Sequence, residues 1–127
     1  MATPNDIARR ILVVDDDSII CESIGRVLAL DQHQVKIATS GEEALTAFQG
    51  DKFDLVILDY AMASMKGDKL AAAIKAQAPQ VPIIMITGYG ESLRLAGNFP
   101  LAVDLVIGKP FEVQDLREAV RRLLLKT

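Results

Sequence analysis

The sequence predicts an open, doubly wound α/β fold, a five-stranded parallel sheet with helices on both faces. Three observations lead to it. The apolar runs are continuous, as in strands covered on both sides, where a half-exposed strand would alternate. Amphipathic segments with helical spacing separate those runs. The connections are short, so the chain reads as βα repeated five times. Its 127 residues, 50% hydrophobic and 24% charged, form one domain with room for a core.

The first strand is "ILVV" at 11–14, preceded by residues 1–8, expected to be a flexible N-terminal extension. In the first helix Ile20, Ile24, Val27 and Leu28 follow i, i+4, i+7, i+8 spacing, with Asp17 or Ser18 placed to cap it. "VKIA" at 35–38 is a weaker second strand. "SGEEALTAF" supplies Ser40 and Glu43 as a capping box, then Ala44, Leu45 and Phe48 on the apolar face. "LVIL" at 55–58 is the third strand, and alanine-rich "GDKLAAAIKAQ" at 67–77 is a helix that stops before Pro79. "IIMI" at 83–86 is the fourth strand, followed by a shorter helix, "GESLRLAG" at 90–97. The last unit pairs "LVI" at 105–107 with "EVQDLREAVRRLLLK", whose Val113, Leu116, Val120 and Leu123 make one stripe. Arg121 and Arg122 lie toward its C-terminal end, where the helix dipole favours cations.

Composition narrows the function. A net charge of -3 without a basic run gives no sign of nucleic-acid binding. The single cysteine, Cys21, allows no internal disulfide and fits a reducing compartment. No signal-peptide pattern opens the chain and no apolar stretch approaches 18 residues, so a cytoplasmic protein without a membrane span is expected. Cys21, Met62, Met65 and Met85 read as packing residues. His33, in "LDQHQV", reads as a surface residue without a partner.

Chemistry concentrates at the strand ends, where folds of this class bind ligands. Asp15, Asp16 and Asp17 follow the first strand, Asp59 the third, Thr87 and Gly88 the fourth, and Lys109 the fifth. Two carboxylates about 4 Å apart repel by roughly 4 kcal/mol at an effective dielectric of about 20, so the acidic block calls for a positive partner. An all-oxygen pocket from two strands suits a hard cation such as Mg²⁺. Asp59 is then a candidate nucleophile that takes a phosphoryl group as a mixed anhydride. Thr87 and Lys109 would donate hydrogen bonds to that group, and Gly88 leaves room for it. Asp17 reads as a helix cap.

This constellation resembles the receiver domain of two-component response regulators over nearly the whole chain. "VVDDD" is similar to the family's acidic pair at Asp15 and Asp16. "LDYAMASMKGD" is similar to its phosphoacceptor loop, with Asp59, then Met62 and Gly67. "ITG" supplies the family threonine, Thr87, and "GKPF" the lysine-proline pair, Lys109 and Pro110, whose bond is commonly cis. The resemblance implies a flavodoxin-like sheet in order 2-1-3-4-5. It also implies Mg²⁺ held by Asp16, Asp59 and the Ala61 backbone carbonyl, with Asp15 helping through water. The implied partners are a sensor histidine kinase or histidine phosphotransfer protein and a downstream protein target, with a phosphorylation-dependent dimer as an option. The domain would catalyse only its own phosphorylation and dephosphorylation, and so is not an enzyme in the ordinary sense.

Two positions depart from the pattern. Ala63 replaces the usual proline after the methionine, so a less rigid loop is expected. Val106, three residues before Lys109, replaces an aromatic that usually swings inward on phosphorylation. Tyr89, two residues after Thr87, is expected to take part of that role and to slow hydrolysis of the acyl phosphate. "Leu101-Ala102-Val103" replaces a small glycine-rich turn often seen before the last strand. Two rival readings remain. One is a haloacid-dehalogenase-like phosphatase using Asp15 and Asp17; the other is a receiver-like interaction module that is not phosphorylated.

Overall fold

The computed structural model describes residues 9–88 and 102–125. The helix expected at 90–97, Tyr89, Leu101 and the extension at 1–8 lie outside them. Strands β1 (Arg10–Val14), β2 (Gln34–Ala38), β3 (Leu55–Asp59), β4 (Ile83–Thr87) and β5 (Leu105–Gly108) form one sheet. All pairs are parallel, in the order β2-β1-β3-β4-β5. The helices among the described residues are α1 (Ser18–Ala29), α2 (Gly41–Gly50), α3 (Gly67–Gln77) and α4 (Val113–Leu125).

Alternate residues of each central strand feed two cores. Leu12, Val14, Val56, Leu58, Ile83 and Met85 pack toward α2 and α3. Ile11, Val13, Leu55, Ile57, Ile84 and Ile86 pack toward α1 and α4. This explains the continuous apolar runs: β3 and β4 are buried along their whole length. Burying each such side chain is worth about 1.5–3 kcal/mol, so β1, β3 and β4 make a stiff platform. β2 lies at the sheet edge with Gln34 and Lys36 exposed, which is why its run reads weakly.

The helix ends follow the sequence signals. Asp17 caps α1, accepting the Ile19 N–H at 2.9 Å. Ser40 Oγ accepts the Glu43 N–H at 3.0 Å, and Glu43 returns a carboxylate oxygen to the Thr39 N–H, also at 3.0 Å. The buried face of α1 is turned slightly from the expected stripe, with Cys21, Ile24 and Leu28 innermost. In α4 the expected stripe needs one correction. Val113 is 49% exposed because the helix meets the sheet one turn later, at Leu116.

His33 is the second correction. It is 7% exposed, and its Nδ1 accepts the Arg9 N–H at 3.0 Å. The turn after α1, with Gln32 at φ 66°, folds the chain back so that the His33 N–H reaches the Leu28 carbonyl at 3.3 Å. Burial holds the imidazole below its usual 6.5, against the charges of Asp31 and Asp54 and together with that of Arg9. Because the folded value is depressed, the unfolded chain binds the proton more readily. The stability from neutral His33 is therefore present above about pH 6.5 and declines as pH falls toward the folded value. Thermal unfolding of wild type and His33→Gln between about pH 7 and about pH 5.5 should show a steeper acid loss in wild type. Parallel curves would count against this role.

Candidate functional site

Strand register assembles the site. β1 and β3 pair Val14 with Leu58, so the next residues, Asp15 and Asp59, leave the sheet side by side. On the other flank of β3, Asp59 pairs with Ile86, whose carbonyl accepts the Tyr60 N–H at 2.9 Å. Thr87 pairs with Gly108, and the Thr87 carbonyl accepts the Lys109 N–H at 2.7 Å. The Lys109–Pro110 bond is cis. From that point the Lys109 ammonium reaches back across β4 to lie 3.2 Å from Asp59 Oδ1. Asp15, Asp59 and Thr87 are all buried, at 3%, 5% and 0% exposure.

Burial dominates the electrostatics of Asp15. Desolvation pushes its carboxyl up to about 6, and the charges of Asp59 and Asp16 add to the rise. The Asp17 N–H, 2.9 Å from Asp15 Oδ1, and the Lys109 charge act in the opposite sense. Beneath it the Cys21 thiol donates to the Asp15 carbonyl at 3.3 Å. Burial raises that thiol to about 11, so Cys21 is a packing residue, not a reactive one.

The loop from Tyr60 to Lys66 runs on from Asp59 and is pinned at several points. Met62 is buried at 2% exposure. The Ala63 N–H donates to Asp16 Oδ2 at 3.1 Å, and Ser64 Oγ donates to Glu42 Oε1 at 3.1 Å. The Gly67 N–H returns to the Tyr60 carbonyl at 2.9 Å. A Cβ at Gly67 would stand 2.6 Å from the Asp59 carbonyl oxygen and 2.8 Å from the Tyr60 Cα, so only glycine lets α3 start this close. The ties through Ala63, Ser64 and Glu42 were missed in the sequence.

Asp15, Asp59, Thr87 and Lys109 thus meet at one sheet edge, with Asp16 exposed beside them and Ala61 exposed in the loop. Asp17 is engaged as a cap. Among the described residues no three His, Cys, Asp or Glu side chains form a closed metal cage. The donors are nevertheless all oxygen, on two strand ends, and the desolvation of Asp15 is only partly compensated. That set fits a small hard cation that keeps several waters and takes only one or two carboxylates. A groove of about 610 Å³ lined by Phe48, Phe53, Val81 and Pro82 lies at the opposite end of the strands, away from this chemistry.

Residues 11–121 match the family described as the response regulator receiver domain. The chain belongs to that family. Among curated relatives, response regulator MprA of Mycolicibacterium vanbaalenii is 31% identical over 93% of this chain and 51% of its own length. Regulatory protein VanRB of Enterococcus faecalis is 35% identical over 91% of this chain and 52% of its own. The chain therefore spans about half the length of the curated relatives it matches. A receiver domain protein from Clostridium thermocellum superposes with a TM-score of 0.85 at 29% identity, covering 92% of this chain and 94% of that one. Response regulator TrrA of Thermotoga maritima, solved in complex with Mg²⁺-BeF, gives 0.82 at 34% identity, covering 91% and 98%.

Two measurements probe the receiver domain's geometry. Gly67→Ala should lower the unfolding free energy in urea by about 1–3 kcal/mol, since its methyl meets backbone; an unchanged midpoint would show that the loop yields freely. Asp15→Asn should raise the thermal midpoint in chelator-treated buffer at neutral pH. The folded value of about 6 lies above the ordinary 3.8. The carboxyl's contribution is therefore fully present below pH 3.8 and lost as pH rises through 6. The gain should shrink on acidification; a gain independent of pH would implicate something other than charge.

Proposed function

We propose that Asp59 accepts a phosphoryl group from a phosphohistidine on a sensor histidine kinase or histidine phosphotransfer protein. The observation that carries this reading is the Lys109 ammonium 3.2 Å from a buried Asp59, with Asp15 beside it in register. An Asp59 carboxylate oxygen attacks phosphorus, and the bond from phosphorus to the imidazole nitrogen breaks. The electron pair leaves with the imidazole, which takes up a proton. Lys109 exchanges its contact with the carboxylate for one with the transferred group's oxygens. Thr87, on the neighbouring strand end, offers its hydroxyl to another. Hydrolysis removes the group: water attacks phosphorus, the phosphorus–carboxylate oxygen bond breaks, the Asp59 carboxylate is restored and inorganic phosphate leaves.

Asp15, Asp16 and Asp59, with the Ala61 carbonyl, would hold a divalent cation such as Mg²⁺. When bound, it supplies positive charge that screens the carboxylates from the incoming phosphoryl oxygens. The Mg²⁺-BeF complex of TrrA supports a Mg²⁺ site here by similarity.

Receiver domains are signalling modules, and on this reading the domain acts on no substrate beyond its own acyl phosphate. Phosphorylation adds charge at one sheet edge and biases the surface formed by β4, β5 and their helices. Val106, partly buried against the core beside β4, would move less than an aromatic there, leaving part of the switch to Tyr89. A downstream protein or a second copy would read that surface. Among the described residues no helix is long and apolar enough to cross a membrane, and the reading places the domain in the cytoplasm.

The phosphatase alternative loses support because Asp17 is spent on the α1 cap and Asp15 accepts the Asp17 N–H. Incubation with acetyl phosphate and Mg²⁺, followed by mass spectrometry, separates the readings. Wild type and Asp15→Asn should carry the acyl phosphate on Asp59, the second more slowly, and Asp59→Asn should carry none. Label on Asp15, or label persisting in Asp59→Asn, would overturn the proposal. A wild type that takes no label would favour the interaction module.

A further inference from the structure

The amide of Ala63 bridges two acidic strand ends. Its N–H donates to Asp16 Oδ2 at 3.1 Å, joining the loop after β3 to the loop after β1 across 47 positions of sequence. The Asp16 side chain is exposed, and without a restraint its charge would swing into water, away from Asp59 and Asp15. The donor itself is aimed from both sides. Met62, immediately before it, is buried at 2% exposure, and Ser64, immediately after it, is bonded to Glu42 of α2 at 3.1 Å. A proline at this position has no N–H and could not make the bond.

We infer that the Ala63 backbone amide is a positioning group for Asp16, holding its carboxylate toward Asp59 so that the two strand ends receive a divalent cation together. The inference rests on the cation site proposed above and adds to it. Ala63 touches no reacting atom; it acts through Asp16. The alanine at 63 therefore exchanges the stiffness of a proline ring for a directed hydrogen bond. Stiffness and tether make opposite predictions about substitution. If loop stiffness set cation affinity, Ala63→Pro would bind at least as well as wild type and Ala63→Gly would bind worse. If the N–H sets it, Ala63→Gly should match wild type and Ala63→Pro should fall short.

Calorimetric titration of the full chain with magnesium chloride tests this without using phosphorylation. Loss of one hydrogen bond to a charged oxygen should weaken Mg²⁺ binding roughly three- to tenfold in Ala63→Pro, while Ala63→Gly stays within about twofold of wild type. Exchanging the Met62–Ala63 amide for an ester removes the donor without a ring. It should reproduce the Ala63→Pro loss and decides the matter if the proline variant misfolds. Wild-type affinity in the ester variant, or an equal loss in Ala63→Gly, would overturn the inference. Absence of Mg²⁺ binding in wild type would instead overturn the cation site itself, and this inference with it.

Discussion

Two carboxylates, Asp15 and Asp59, leave adjacent parallel strands side by side and nearly out of solvent, and one ammonium, that of Lys109, lies against the second. Everything else at this sheet edge answers to that arrangement. Burying like charges together is costly, and a single cation at 3.2 Å relieves only part of the cost, as the raised Asp15 carboxyl shows. The strain is tolerable because the platform beneath is stiff. A carboxylate pair on loops would move apart; here the register of β1 and β3 fixes it.

The division of labour follows from the two-faced sheet. Strand ends place Asp15, Asp59 and Thr87 with little freedom, because β1, β3 and β4 are buried in cores on both faces, while Lys109 follows the half-buried edge strand β5. The loop beside them is different in kind. Its residues are mostly exposed, and it owes its shape to a few bonds: Ala63 to Asp16, Ser64 to Glu42 and Gly67 to Tyr60. A rigid edge with a sparsely tethered loop beside it suits a site that must admit a phosphoryl group and register its presence.

Much of this was legible in the sequence. Continuous apolar runs marked the central strands because both faces are covered, and the caps at Asp17 and Ser40 fell where short polar residues precede an apolar period. The functional side chains were legible because each ends or directly follows a strand, and strand ends in a doubly wound sheet share one edge. What escaped is what depends on third dimensions and backbone atoms. His33 looks exposed in a polar stretch, yet a turn carries it inward to the Arg9 amide. Val113 fits the helical period but stands before the turn that meets the sheet. The Ala63 bond uses an amide every residue but proline possesses, so nothing in the residue types announces it.

The central claim is that the Lys109–Asp59 contact marks where a phosphoryl group is received. A crystal structure of the protein treated with Mg²⁺ and beryllofluoride addresses it most directly. Beryllium should be joined to an Asp59 oxygen, with the Lys109 ammonium and Thr87 hydroxyl drawn to the fluorides. Beryllium on Asp15, or an unmodified Asp59 still paired with Lys109, would contradict it.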